Sequence, residues 1–336
     1  ILFRNLTEPC ALREMLKLQE YDAQIEVFSL LAPEAGAVSH PESEPLAAKT
    51  YYCPWLFSRR LWAANINYLL QQPGIYLKSL FQLARQTLSK PVLCGKTIAT
   101  FFKSAYFSQL CEEQQLDHIH ATFASHNTTA ALVISALSGI EFSFTIDAYD
   151  LYVETSLLRL KLEKAAFVTT ISNFNLQVIE ERYGQKMRAK TSCIYRGIDL
   201  QRYCATNTAS PRQNFTLLCT ASLNRKKGHR YLLQAIAELR RQNRNLSCVI
   251  AGDGPLRQEL TRLAKSLEIT DCVEFAGALT QEQVISRLQQ ADCFVLPSII
   301  GPGNRMEGIP NALMEASACE LPVISTRISG IPELVE

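Results

Sequence analysis

From about Asn214 onward the apolar residues of this chain fall into a regular alternation of short β-branched runs and longer amphipathic stretches. FTLLCTA predicts a strand, and GHRYLLQAIAELRRQ carries apolar residues at helical spacing. LSCVIAG predicts the next strand, and PLRQELTRLAKSL the next helix, with Pro255 in its first turn. VEFAG, CFVLP and PVIST continue the strands, with helices starting near Gln281 and Pro310. Strands separated by helices of this length imply a parallel sheet covered on both faces, for which a doubly wound domain is the economical solution.

The first half is less regular. DHIHATF, EFSFTI and AAFVTTIS predict strands, with helices near Thr128–Leu137, Ser156–Lys164 and Asn175–Tyr183. Residues 50–115 form instead a helix-rich, aromatic block containing LWAANINYLL and IYLKSLFQLARQ. The polar stretch CATNTASPRQN marks a boundary, giving domains over 1–205 and 206–336. There is no repeat of solenoid period and no low-complexity tract. The chain opens on ILF followed at once by a helix and stops at ISGIPELVE as a helix begins. Both edges lead us to expect a piece that lacks the start of its first strand and the end of its second domain.

Composition changes this picture little. At 336 residues the chain exceeds one comfortable core. A formal charge of +2 is too small to argue for nucleic acid. No run of apolar residues is long enough to span a bilayer, and the N-terminus lacks the pattern of a signal peptide. The eleven cysteines include no C-x2-C pair, and several sit inside apolar runs, which predicts buried free thiols in a reducing cytosol.

The densest chemical signal is LPSIIGPGNRMEGIPNALMEASACELPVIST, a strand, a glycine-rich loop and a helix opening near Pro310. Free backbone N–H groups and a positive helix end at such a junction suit a diphosphate. Glu307 precedes the helix and Glu315 lies one to two turns into it. Two acceptor carboxylates there could hold polyol hydroxyls on either side of phosphates. Read blandly, both are solvated helix charges, but ALMEASA is too apolar to face water, which favours a partnered Glu315.

ASLNRKKGHRYLLQA places Arg225, Lys226 and Lys227 between a strand and a helix, at the ligand-binding edge of a doubly wound sheet. Cations there would neutralise a departing pyrophosphate. A solvated turn is an even alternative for Arg225 and Lys226, while Lys227 beside Gly228 is the stronger candidate. AGDGPL lacks the third glycine of a dinucleotide fingerprint, so Gly252 and Gly254 read as a tight turn near a ligand and not as a nicotinamide site. In DHIHATFASHN, His118 and His120 share a strand face, and a zinc pair there lacks a third ligand. Asp147 and Asp150 fall at a strand end.

Together these stretches resemble glycosyltransferase family 4, retaining nucleotide-sugar transferases of the GT-B architecture, and in particular the subgroup that builds exopolysaccharides of the colanic-acid type. The resemblance rests on HATFA, SFTIDAYDLY, TISNFN, GIDLQRY, KKGHRYLLQA, AGDGPLR, EGIPNALMEASA and GIPELVE. It implies an α/β protein of two Rossmann-like doubly wound domains facing a cleft. It also implies that Glu307 contacts the donor sugar, Glu315 the nucleotide ribose and Lys227 the diphosphate. The backbone around Gly308, Ile309, Pro310 and Asn311 assists, and His120 sits near donor sugar or acceptor. The family transfers with retention and without metal or other cofactor.

The chain departs from the family's pattern at three positions. Ser222 replaces an arginine, Thr122 a second histidine, and Asp147 the histidine of the SFTAH stretch, which puts an acid in the first-domain half of the site.

The expected activity is sugar transfer from a nucleotide diphosphate sugar to a glycan or lipid-linked glycan, in the cytoplasm or at the inner face of the membrane. The alternative is a degenerate protein that binds nucleotide or glycan without turnover, and a nicotinamide oxidoreductase lacks its fingerprint. The block bearing Trp55, Trp62, Lys78 and Arg85 fits core helices of the acceptor domain better than a surface that touches lipid or acceptor.

Overall fold

The computed structural model describes residues 2–3, 9–31, 46, 49–203 and 215–336. They cluster into two compact units, Ile1–Ile171 with Leu176–Ile194, and Ser172–Asn175 with Tyr195–Glu336. The polar stretch expected to join them lies outside the described residues.

The first unit holds seven parallel strands in the order β3-β2-β1-β4-β5-β6-β7. These are β1 (Leu2–Phe3), β2 (Val27–Ser29), β3 (Thr50–Tyr52), β4 (His118–Thr122), β5 (Glu141–Ile146), β6 (Val168–Thr170) and β7 (Thr191–Cys193). The order reverses at β1/β4, where a doubly wound sheet opens its ligand edge. Sequence reading missed β2, β3 and β7, each three residues long.

Helices α1 (Pro9–Gln19), α2 (Arg59–Gln71), α3 (Pro73–Thr87), α4 (Pro91–Glu113) and α5 (His126–Ser138) follow in chain order. Proline at the first position of α3 and of α4 starts each helix without losing a hydrogen bond. Tyr68 of α2, Tyr76 and Leu83 of α3, and Phe101 and Ala105 of α4 are buried in one cluster with Val133 and Leu137 of α5. The 50–115 block therefore packs through one stripe per helix. Its first two helices also carry exposed apolar side chains, with Leu70 75% and Phe81 68% exposed.

The second unit is a five-stranded parallel sheet, order β10-β9-β8-β11-β12. Its strands are β8 (Phe215–Thr220), β9 (Leu246–Ala251), β10 (Val273–Gly277), β11 (Cys293–Leu296) and β12 (Val323–Ser325). The order reverses at β8/β11. One contiguous core joins Cys219, Ile250 and Phe294 of the strands to Leu233 and Ile236 of the following helix (His229–Arg241) and to Leu313 near the C-terminus.

The helix after AGDGPL opens at Arg257, two residues later than Pro255 suggests. Leu256 N–H donates to Leu223 O at 3.1 Å, so Pro255 and Leu256 form a turn tied to the neighbouring loop. Pro310 likewise caps its helix (Asn311–Ala318) instead of starting it. The described cysteines are free thiols, most of them buried.

Candidate functional site

In the second unit the loops leaving β8 and β11 carry the charged candidates. After β8 the chain makes a 3₁₀ turn, Arg225–Lys227, which ends at Gly228 with φ +70°. A Cβ at Gly228 would lie 1.7 Å from Pro297 O, so only glycine lets this turn close onto the end of β11. Ile299 N–H donates to Lys226 O at 2.8 Å and locks the two loops together.

The result is an ion triplet. Lys226 Nζ and Lys227 Nζ stand 2.8 and 3.1 Å from Glu307 Oε1, with the Glu307 side chain 11% exposed. Burial pushes the Glu307 carboxyl up, but the ammoniums of Lys227 and Lys226 outweigh it and hold the group below its ordinary range. Arg225 is exposed on the same turn, three residues beyond Ser222.

Glu315, on the helix that follows, accepts a hydrogen bond at 3.0 Å from the Tyr203 hydroxyl, which itself accepts one from Gln281 Nε2 at 2.8 Å. Tyr203 is 1% exposed. Sequence reading did not single it out, although GIDLQRY supplied it. Gly308, Ile309 and Pro310 are buried ahead of this helix, and no side chain caps its first turn. Buried polar atoms without a protein partner also gather at this edge: Thr220 Oγ1, Asn224 Oδ1, Ser298 Oγ and both ring nitrogens of His229. Such atoms in a native fold point to a polar ligand or ordered water.

Gly252 and Gly254 form the expected tight turn, and their lack of a Cβ serves packing. A Cβ on Gly252 would fall 2.0 Å from Ala221 O, and one on Gly254 2.7 Å from Leu223 O. These glycines let the β9 loop lie on the β8 loop and so position the lysine turn.

In the first unit the candidates form two separate networks. His118 Nε2 and His120 Nδ1 both meet Ser143 Oγ, at 2.6 and 2.8 Å, and His120 Nε2 meets Thr145 Oγ1 at 3.0 Å. Burial lowers the His120 imidazole to about 4, leaving it neutral near pH 7. Asp147 caps the short helix Ala148–Tyr152 by accepting from Ala148 N–H at 2.7 Å.

Beside it lies a clamp the sequence did not reveal. Lys161, 2% exposed, donates to Ala124 O and Ser125 O at 2.7 and 2.8 Å, while Asp150, 3% exposed, accepts from Ala124 N–H at 2.8 Å. Burial raises Asp150 to about 6 and lowers Lys161 to about 8. Together they fix the loop after β4, in which Phe123 has φ +65°. Among the described residues no group of three or more His, Cys, Asp or Glu side chains could hold a metal ion.

Two α/β units, each a parallel doubly wound sheet, are the architecture of the GT-B fold. Residues 206–336 match the family described as Glycosyl transferases group 1. The chain is 38% identical over 155 residues to WcaL of Escherichia coli (strain K12), by name a colanic acid biosynthesis glycosyltransferase. It is 37% identical over 140 residues to the amylovoran biosynthesis glycosyltransferase AmsK of Erwinia amylovora. The two matches cover 45% and 42% of this chain, and 38% and 34% of those relatives' own length. Anabaena Alr3699/HepE, solved in complex with UDP and glucose, superposes on 100% of this chain and 82% of its own with a TM-score of 0.65 at 16% identity, a likeness of fold.

Proposed function

We propose that the chain is part of a retaining glycosyltransferase that moves a sugar from a nucleotide diphosphate sugar to a glycan or lipid-linked glycan in exopolysaccharide or cell-surface polysaccharide synthesis. It works in the cytoplasm or at the inner face of the membrane. One observation carries the reading: Lys226, Lys227 and Glu307 converge where the strand order of the second sheet reverses, within the family-matched segment.

In this reading the two lysines and Arg225 take the diphosphate, supplying the positive charge that a divalent metal supplies in other transferases. Releasing the lysines to phosphate frees Glu307 to accept from donor-sugar hydroxyls. Glu315, held by Tyr203, accepts from the ribose, while the backbone of Gly308, Ile309, Pro310 and Asn311 faces the phosphates. His120 and Asp147 serve the sugar-acceptor side from the first unit. The similarity to relatives named for colanic acid and amylovoran biosynthesis supports the polymer class.

A calorimetric screen of the chain against UDP, GDP, ADP, their sugars, NAD and NADP tests this. Binding of one nucleoside diphosphate, weakened in Glu315→Ala, is the expected result. Silence toward every nucleoside diphosphate, or binding of NAD or NADP alone, would refute it.

A further inference from the structure

The outer surface of α2 and α3 has no role in donor chemistry, and its composition is unusual. Of the 25 large apolar side chains exposed among the described residues, twelve fall between Tyr52 and Val92. On α2, Ile66 and Leu70 lie on the side opposite the buried stripe of Leu61, Ala64, Asn65 and Tyr68, and Trp62 lies at its edge, 41% exposed with its ring 5.0 Å from that of Phe102. On α3, Leu77 and Phe81 do the same opposite Tyr76 and Leu83. Both helices bury their inner stripes in the cluster around Phe101 of α4, so both outer stripes turn away from the unit. Trp62 Nε1–H donates to Leu56 O at 2.8 Å and tethers the loop carrying Trp55 and Phe57, 87% and 93% exposed, to the start of α2.

Charge decides what covers this surface. Residues 51–111 contain seven Lys and Arg and no Asp or Glu, in a chain whose whole formal charge is +2. Lys90 reaches Glu154 and Lys103 donates to Leu30 O. Arg59, Arg60, Lys78, Arg85 and Lys96 are exposed, with no acidic partner among the described residues. A second copy of the chain is a poor occupant, because a two-fold interface presents the same patch to itself and would oppose cation to cation. Exposed tryptophan and phenylalanine interleaved with Lys and Arg suit the headgroup layer of an anionic bilayer. No helix among the described residues is long and apolar enough to cross one.

We infer that the outer faces of α2 and α3, with the loop bearing Trp55 and Phe57, form a docking surface for an anionic membrane. This extends the reading of a lipid-linked acceptor given above and gives the inner-face location a specific contact. Docking there would bring the first unit to the layer in which such an acceptor's headgroup lies.

The test uses two built-in probes, since Trp55 and Trp62 are the only tryptophans in the chain. The whole chain is mixed with vesicles of phosphatidylcholine alone, or of phosphatidylcholine with phosphatidylglycerol. Co-sedimentation and a blue shift of tryptophan emission are expected with the anionic vesicles only, weakening as salt is added. The double variant K78E/R85E should bind them about tenfold or more weakly, and W55A/F57A should lose most of the emission shift.

Equal binding to both vesicle types would overturn the proposal, as would unchanged emission with phosphatidylglycerol. A lipid-free dimer abolished by W55A/F57A would assign the surface to a second copy instead. An unchanged urea midpoint by tryptophan emission, which reads the first unit, shows that K78E/R85E is folded, and nucleotide binding by the second unit is measured in parallel. If no form binds nucleotide, the donor reading fails while the vesicle result stands on its own.

Discussion

The two units solve one topological problem with opposite chemistry. Each is a parallel, doubly wound sheet whose order reverses once, at β1/β4 and at β8/β11. In the second unit that edge gathers two lysines on one carboxylate, and Gly228 admits the turn that brings them there. In the first unit the loop after β4 is held by an internal Lys161–Asp150 clamp, and neutral imidazoles and hydroxyls line the strand before it. One edge keeps its charge close to the surface for exchange with an anionic ligand. The other spends its charge inside, to hold a backbone shape. Topology therefore fixes where a site can lie, and the side chains on the loops decide what it can bind.

The largest expected effect breaks the clamp. Lys161→Met leaves Asp150 buried without its cation and two carbonyls without a donor, and should lower stability by roughly 3 kcal/mol. Urea unfolding followed by tryptophan emission reads this in the first unit, where both tryptophans lie. A loss well below 1 kcal/mol would mean the clamp is not structural.

Next in size, Lys227→Ala should weaken nucleoside diphosphate binding about thirtyfold, the equivalent of one charge-assisted hydrogen bond. Titration calorimetry checks it, and unchanged affinity would pass the phosphate role to Lys226 and Arg225.

The pH dependence of stability should distinguish the two edges by sign. His229 is lowered to about 4 by burial and by Lys227, below its ordinary 6.5. The folded form resists protonation, so stability rises with pH from about 4 to 6.5, by about 3 kcal/mol. Asp150 is raised from 3.8 to about 6, so its contribution is present at low pH and lost as pH rises through that window. Between pH 4 and 6, His229→Gln should therefore flatten the rise in stability and Asp150→Asn should steepen it. Denaturant midpoints at four or five pH values would show either slope moving the wrong way.

The smallest effect tests the link from Tyr203 to Glu315. Tyr203→Phe removes a buried hydroxyl with two partners, costing about 1 kcal/mol of stability and a few-fold in nucleotide affinity. A variant with full affinity would show that Glu315 needs no support from Tyr203.

Much of the second unit was legible because its strands and helices repeat at their own periods, and because EGIP and KKG stand at strand-to-helix junctions. Glu307, Lys227 and Glu315 could be named from that pattern alone. Lys161 could not: within LLRLKLEKAA it looks like one more charge on an amphipathic helix, and only the fold brings it under Ala124 and Ser125. What Gly252 and Gly254 make room for was hidden for a related reason, since the backbone of Ala221 and Leu223 is about thirty residues away in sequence.

Local pattern determined the class of fold, the number of sheets and the loops that carry chemistry, because hydrophobic periodicity and turn residues act over a few neighbours. Tertiary structure decided the rest. It paired both lysines with Glu307, put Tyr203 under Glu315, buried Lys161, and turned an apolar stripe of the 50–115 block toward solvent. Each of these depends on distances between segments far apart in the chain, which only the packing of the whole unit sets.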